Sequence, residues 1–199
     1  MNVTAIKTIS NLQTNFMYLV FMRPIAGIIT DTQTFTITTR ETAIPAKTRT
    51  KMDYRFLGRQ TSIRQGVTHE GEWRCTMVLE EKGTFYNDLV KWFYAVDKSQ
   101  LNGQDYKTSV VLQLLNIDGS TTNTAYAIIG IYPTMIPNMD GLNQEGTEGH
   151  VTFEAVFGYD DVAHGLVTGN TVTWDEEADD VYFPFKDKLT ELKTLVALT

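Results

Sequence analysis

Residues 72–98 read EWRCTMVLEEKGTFYNDLVKWFYAVDK and contain the two periodicities that decide the fold. In residues 72–80 apolar and polar side chains alternate, which predicts a half-buried strand. In residues 84–98 the apolar side chains recur at helical spacing, which predicts a helix with one apolar face. That face consists of Phe85, Leu89, Trp92, Phe93 and Val96. An aromatic stripe of this kind is typical of a helix packed on a sheet, and a ligand platform is the less favoured alternative.

Strand patterns dominate the chain on both sides of this segment. They occur at residues 15–23, 32–39, 109–116, 124–132 and 149–159. A short helix is expected at residues 3–12. Many strands with a single inserted helix predict a mainly β fold, an antiparallel β-sandwich or barrel with one flanking α-helix. The fold would also carry a long protruding loop or hairpin and a C-terminal appendage ending in a short helix.

The chain changes character after Asp160, which predicts two parts. Residues 1–160 form the β-barrel domain, and residues 161–199 form the C-terminal appendage. Within the appendage, residues 162–170 (VAHGLVTGN) are typical of a loop. An amphipathic helix is predicted in residues 184–198, with Phe185, Leu189, Leu192 and Val196 on its apolar face.

Composition excludes several classes of protein. The 199 residues carry a net charge of −7, which argues against a general nucleic-acid binder. A single cysteine, Cys75, rules out a disulfide within the chain. The N-terminal residues lack the pattern of a secretory signal, and no apolar run is long enough to span a membrane. We therefore expect synthesis in the host cytoplasm and no membrane partner.

Residues with catalytic or metal-binding chemistry do not form a recognisable set. His69, His150 and His164 lie outside any HExxH spacing, and Cys75 has no CxxC partner. The acidic run at residues 175–180 could bind a divalent cation, but a solvated loop is the simpler interpretation. Cys75 alternates with apolar neighbours and is expected in the core. The sequence thus predicts no catalytic residues, no metal and no cofactor, although the many acids leave a catalytic carboxylate pair open.

Positive charge is concentrated in residues 40–66, RETAIPAKTRTKMDYRFLGRQTSIRQG. Residues 40–64 hold seven Lys or Arg and two acids, whereas residues 140–199 hold three and thirteen. Opposite potentials of this kind suit a head-to-tail contact between copies of one chain. The β-type residues around Gly58 suggest a long hairpin. The candidate assembly loop comprises Pro45, Lys47, Arg49, Lys51, Arg55, Leu57, Gly58, Arg59 and Arg64.

Short motifs in a particular order carry a family resemblance. They are Thr42–Ala46 (TAIPA), Leu57–Gln60 (LGRQ), Trp73, Trp92-Phe93, Gly130–Thr134 (GIYPT) and Phe153-Glu154. In this order, across residues 15–160, the chain resembles the tail tube proteins of contractile-tailed bacteriophages. Those proteins are related in fold to the inner tube proteins of type VI secretion systems. The appendage has no counterpart in the typical family member.

The resemblance implies a structural virion protein and not an enzyme. Six copies would form a ring, and stacked rings would form the tail tube through which the genome is ejected. The assembly loop would cross to the adjacent ring. A tail sheath protein would lie outside the tube, and a tape measure protein and transiting DNA would lie in the lumen without sequence-specific binding.

Two alternatives remain open at the level of sequence. A tube-initiator or baseplate paralogue, or the tube of another injection machine, would share the same motifs. A small oligomeric β-barrel binding module or enzyme, with a pocket near the aromatic helix, would explain the fold without the assembly.

Overall fold

The computed structural model describes residues 17–56, 59–69, 71–97, 106–115, 121–140, 151–168, 171–175 and 186–196, with the backbone alone for residues 17, 37, 48–56, 59–69, 97, 121, 140, 186 and 194–196. The strands in these ranges are β1 (Met17–Met22), β2 (Thr39–Thr42), β3 (Lys47–Phe56), β4 (Arg59–His69), β5 (Glu72–Val78), β6 (Thr108–Leu115), β7 (Thr121–Pro133), β8 (Asn138–Asp140), β9 (Thr152–Gly158), β10 (Asp161–Thr168) and β11 (Thr171–Trp174). The helices are α1 (Thr32–Thr38), α2 (Thr84–Asp97) and α3 (Lys186–Val196). The helix predicted at residues 3–12 lies outside the described residues.

Nine of these strands form one antiparallel sheet that folds over on itself. One half has the order β1-β6-β7-β10-β11, and the other has the order β2-β5-β9-β8. Strand β7 connects the two halves: it pairs with β6 as far as Ile131, and then Tyr132 and Pro133 pair with β9 in the second half. The prediction of a mainly β fold with few helices is confirmed.

Gly130 marks the corner at which β7 passes from one half to the other. The register between β6 and β7 shifts at this position: Ser109 pairs with Ile129, whereas the adjacent Thr108 pairs with Ile131, so Gly130 is the extra residue. Gly130 has φ +69°, in the left-handed region that favours glycine. A Cβ at this position would collide with the side chain of Asp160. The bulge therefore requires glycine both for its backbone angle and for the close approach of Asp160.

Two apolar cores hold the sheet and helices together. The larger core lies between the two halves and contains residues of both, with α2 closing over it. Its largest fully buried side chains include Trp73, Trp92, Phe35 and Phe157. The smaller core lies under α3 and comprises Val111, Ala125, Ala127, Ile129, Ala163, Val167, Val172, Trp174, Leu189 and Leu192. The predicted helix α2 thus packs over the sheet with Phe85, Leu89 and Trp92 buried, and α3 buries Leu189 and Leu192.

The strand predicted at residues 32–39 is wrong, because Thr32–Thr38 form helix α1. The Asp31 carboxylate caps the helix by accepting the backbone N–H groups of Gln33 and Thr34. The hydroxyl of Thr36 donates to the carbonyl of Val20 on the edge strand β1. Local capping and the edge of β1 therefore override the strand preference of an alternating, Thr-rich segment.

The loop predicted at residues 162–170 is also wrong over most of its length, because residues 161–168 form β10. This strand pairs with β7 from Asp161 to Leu166. Gly165, which suggested a loop, lies opposite Trp174 in the ladder, and a Cβ there would approach the indole ring to 2.5 Å. The glycine marks a close approach and not a turn. Strand pairing thus crosses the predicted boundary at residue 160, and the division into two domains stays a prediction.

Candidate assembly interface

The basic segment forms a long hairpin that is separate from the main sheet. Strands β3 and β4 pair with each other from Lys47–His69 to Phe56–Arg59 and form a two-stranded sheet of their own. The prediction of a long hairpin is confirmed, whereas Leu57 and Gly58 at its tip lie outside the described residues. A ribbon of nine residue pairs that does not join the main sheet presents backbone hydrogen-bonding groups along both edges.

The register of the hairpin divides its residues between two faces. Because residues that are opposite in the ladder share a face and successive residues alternate, Lys47, Arg49 and Lys51 lie on one face. Arg55 and Arg64 lie on that same face, and Lys51 is directly opposite Arg64. Asp53 also lies on this face, opposite Ser62, so the face is basic overall with one acid.

The opposite face of the hairpin is apolar towards the tip. It carries Met52, Tyr54 and Phe56 on β3 and Ile63 on β4, with Arg59 next to the turn. The candidate loop residues thus fall mainly on one face, a separation that charge counting alone did not predict. Their role in assembly stays a prediction.

The root of the hairpin, residues 42–47, is fixed to the main sheet. The indole N–H of Trp73 donates to the carbonyl of Ala43 over 3.0 Å, and the hydroxyl of Thr42 donates to the carbonyl of Arg74. Pro45 is buried. Lys47 Nζ lies 2.9 Å from Asp161 Oδ1 at the start of β10. These contacts come from two different strands, so they set the direction in which the hairpin leaves the body.

An apolar groove of about 320 Å³ lies beside this root. Its walls come from β1, β2, β6, β7 and the hairpin root, and comprise Tyr18, Thr42, Ile44, Leu112, Leu114 and Tyr126. Next to Tyr126, its ladder partner His164 lies 2.6 Å from the carboxylate of Asp175. The sequence did not predict this groove, since its walls come from distant parts of the chain. We call it the root groove.

The outer face of β5 and β9 carries a small network of exposed charges. The guanidinium of Arg74 lies 2.9 Å from Glu72 and 3.3 Å from Glu154. These two carboxylates raise the pKa of Arg74. Such exposed pairs contribute little to stability, and they make this face a hydrated surface.

Cys75 is a core residue, and its environment does not activate the thiol. Cys75 is 1% exposed in the main core, as predicted, and burial raises the pKa of its thiol to about 12. The thiol is therefore protonated and poorly nucleophilic at neutral pH. No group of three or more His, Cys, Asp or Glu side chains in the described ranges could hold a metal ion. None of the described helices is long and apolar enough to cross a membrane.

Comparison by sequence adds nothing to this geometry. No protein-family model matches the chain, and no curated protein matches it.

Solved structures do share the fold. A chain of the anti-feeding prophage baseplate, solved with six-fold symmetry, is 18% identical, with a TM-score of 0.56 over 76% of this chain and 93% of its own length. A chain of the extended sheath–tube complex of the extracellular contractile injection system PVC is 14% identical, with a TM-score of 0.56 over 84% of this chain and 99% of its own length. A chain of the cap that terminates the anti-feeding prophage tube is 12% identical, with a TM-score of 0.53 over 75% of this chain and 88% of its own length. The protein therefore has the fold of contractile injection system tube and cap proteins, as the resemblance in sequence implied.

Proposed function

We propose that the protein is a structural subunit of the inner tube of a contractile tail. Six copies form a ring, and the rings stack through the hairpin β3–β4. The observation that carries the proposal is a long ribbon, separate from its own sheet, on a fold shared with tube and cap chains. Ordering each residue of a protruding ribbon costs about 1–2 kcal/mol of backbone entropy, and a partner surface can offset that cost.

The charge distribution supports a head-to-tail contact. The hairpin carries the basic face, and residues 140–199 carry most of the excess negative charge. A heterologous contact that closes makes a ring, and one that does not close makes a filament, so a tube needs both kinds. The basic face of one copy would meet an acidic surface of a copy in the next ring.

A tube in a phage particle would have three further partners, one outside the tube and two in its lumen. A sheath protein lies outside, and a tape measure protein and then DNA occupy the lumen. An acidic lumen would repel phosphates and limit DNA binding, the reverse of the counterion release by which basic proteins bind DNA. The protein would act in the virion as a conduit for genome ejection and would catalyse no reaction.

Truncating the hairpin tests the proposal. Thr48 and Thr68 are directly opposite in the ladder, so residues 49–67 can be replaced by Asn-Gly, a two-residue hairpin turn. The ion pair of Lys47 with Asp161 stays in place in this variant. We expect the variant to lose only the strand signal of the hairpin in circular dichroism, to keep its melting behaviour, and to show single rings but no tubes by negative-stain electron microscopy. Tubes of normal length from the truncated variant would contradict the proposed role of the hairpin.

A second candidate is a tube initiator or terminator. The similarity to chains of a baseplate and of a terminating cap favours it, because their TM-scores are close to that of the sheath–tube chain. Immunogold labelling of the assembled particle separates the two candidates. Label along the whole tail would support the tube subunit, and label at one end would support the initiator or terminator.

A further inference from the structure

The root groove is an apolar surface that the described residues leave open. Leu112 is buried at its floor, whereas Ile44 on its rim is 39% exposed. Tyr18, Leu114 and Tyr126 are half-buried along its walls. Its volume of about 320 Å³ is enough for a few aliphatic side chains.

Tyr18 on the groove wall also carries a polar atom that lacks a partner among the described residues. The hydroxyl of Tyr18 is buried and makes no hydrogen bond with the described residues. Leaving a buried hydroxyl unsatisfied costs about 1–3 kcal/mol, so such groups usually have a partner. Burial raises the pKa of this hydroxyl to about 12, and the nearby carboxylate of Glu41 adds to the effect. The groove therefore suits an occupant with both aliphatic side chains and a polar group.

The chain itself supplies a segment of that chemistry at this point. Residues 1–16 precede Met17, the first residue of β1, and Tyr18 is the next residue. This segment carries Ile6, Ile9 and Leu12 at intervals of three, among Ser, Thr, Asn and Gln residues. Its one charged residue, Lys7, is opposite in sign to Glu41 near Tyr18. From β1 across β6 to β7 the groove is about 10 Å wide, which a few residues can span.

We propose that residues 3–12 of the same chain dock in the root groove and place Ile6, Ile9 and Leu12 against its aliphatic walls. A polar group of the docked segment would pair with the Tyr18 hydroxyl. Docking within one chain is favoured because the short connection to β1 holds the segment at a high effective concentration. The docking itself does not depend on tube formation.

Docking would also brace the hairpin. Thr42 and Ile44 belong both to the groove and to the hairpin root. A docked segment would therefore restrict the angle at which the hairpin leaves the body. This consequence rests on the proposed function, in which the hairpin must reach a neighbouring ring.

Cysteine labelling of the full chain tests the docking. Leu114→Cys reports on the groove wall, and Ile44→Cys is a second reporter on the rim. The unmodified chain is the blank, since Cys75 is buried and its thiol is protonated. We expect the triple change Ile6→Asp, Ile9→Asp and Leu12→Asp to raise the rate of labelling by a bulky maleimide at least tenfold at both reporters. The matched control Thr4→Asp, Ser10→Asp and Asn11→Asp adds the same charge and should leave the rate near that of the reporter alone.

Co-expression identifies the source of the docked segment. Copies that carry both a reporter and the triple change are mixed with copies that have the original N-terminal residues and no reporter. Docking within one chain predicts that the reporter stays fast in the mixture, and slowing would assign the segment to another copy and overturn the proposal. Equal labelling rates with and without the triple change would also overturn the docking proposal. If the reporters instead lose their protection only when the hairpin is truncated, the occupant of the groove is a hairpin and the proposal is wrong. Labelling can be read on unassembled protein, so failure to form tubes would not affect the result.

Discussion

At the scale of residues, the three tryptophans show how single side chains fix connections between elements. Each indole N–H donates to a backbone carbonyl outside its own element: Trp73 to Ala43, Trp92 to Tyr106 and Trp174 to Leu189. All three rings are at most 1% exposed. A buried indole thus provides both packing area and a hydrogen bond that fixes the position of another segment of the chain.

Gly130 offers the sharpest test at this scale. Gly130→Ala would place a methyl group against Asp160, whose carboxylate lies 2.6 Å from Lys107, and would force alanine into a left-handed conformation. The matched control is Gly27→Ala, because Gly27 has φ +75° but nothing within 4 Å of its Cβ position. Backbone strain alone costs about 1–3 kcal/mol, so we expect the control to fall in that range and Gly130→Ala to exceed it.

Urea denaturation of the two variants measures this difference. Adding Asp160→Ala to Gly130→Ala should recover part of the loss, because it removes the colliding side chain. Equal destabilisation by Gly27→Ala and Gly130→Ala would show that the approach of Asp160 does not matter for the bulge.

At the scale of elements, α1 depends on its cap. Hydrogen bonds from the Thr34 side chain and from backbone N–H groups lower the pKa of Asp31. We expect Asp31→Ala to lower the free energy of unfolding by about 1 kcal/mol, and Asp31→Asn to cost less because it keeps an acceptor. Since the folded-state pKa is depressed, this contribution is present at neutral pH and is lost as pH falls through the folded-state value. A loss from Asp31→Ala that is equally large at acidic and neutral pH would contradict the assigned role of the carboxylate.

Helix α3 tests whether the C-terminal residues fold with the rest of the chain. Leu189 is fully buried over the smaller core and accepts the indole N–H of Trp174. Leu189→Ala should cost about 2–5 kcal/mol and lower the melting temperature by roughly 5–15 °C in a single transition. Asp187→Asn on the exposed side of the helix should cost less than about 1 kcal/mol. A separate early transition in Leu189→Ala would instead indicate that residues 161–199 fold independently, as the predicted domain boundary implies.

The elements that were predicted correctly from the sequence each have one buried face. Each is also long enough for the alternation of a strand to be told apart from the 3.6-residue repeat of a helix. Strand β5 and helix α2 satisfy this condition, and their patterns of burial follow the predicted faces. In contrast, seven residues of α1 fit either periodicity, and the contact of Thr36 with β1 is not visible in the local sequence. Gly165 in β10 resembles a turn residue unless the position of Trp174 is known. The hairpin was predictable from the β-type residues around Gly58 and its basic character from charge, whereas the root groove was not predictable, because only folding brings its walls together.

At the scale of the whole molecule, the separation of charge is the feature that would select partner and register. An acidic chain with a basic ribbon repels copies of itself except where the ribbon meets an acidic surface. The described acids include several that are already paired, such as Asp160 with Lys107 and Asp161 with Lys47. The acids available to a neighbouring hairpin are therefore a subset of those in the C-terminal part.

Reversing charge on the basic face of the hairpin tests this selection. The double change Arg55→Glu and Arg64→Glu places two acids on that face, whereas Lys82→Glu and Lys91→Glu make the same change in net charge on exposed positions beside and on α2. We expect the hairpin variant to assemble at least tenfold less at low salt, as measured by sedimentation of tubes, and the α2 variant to assemble normally. The Debye length falls from about 10 Å at 0.1 M salt to about 3 Å at 1 M, so the two variants should converge as salt rises. A hairpin variant that assembles like the α2 variant at every ionic strength would show that stacking does not use this charge, and the apolar face of the ribbon would then have to carry the contact alone.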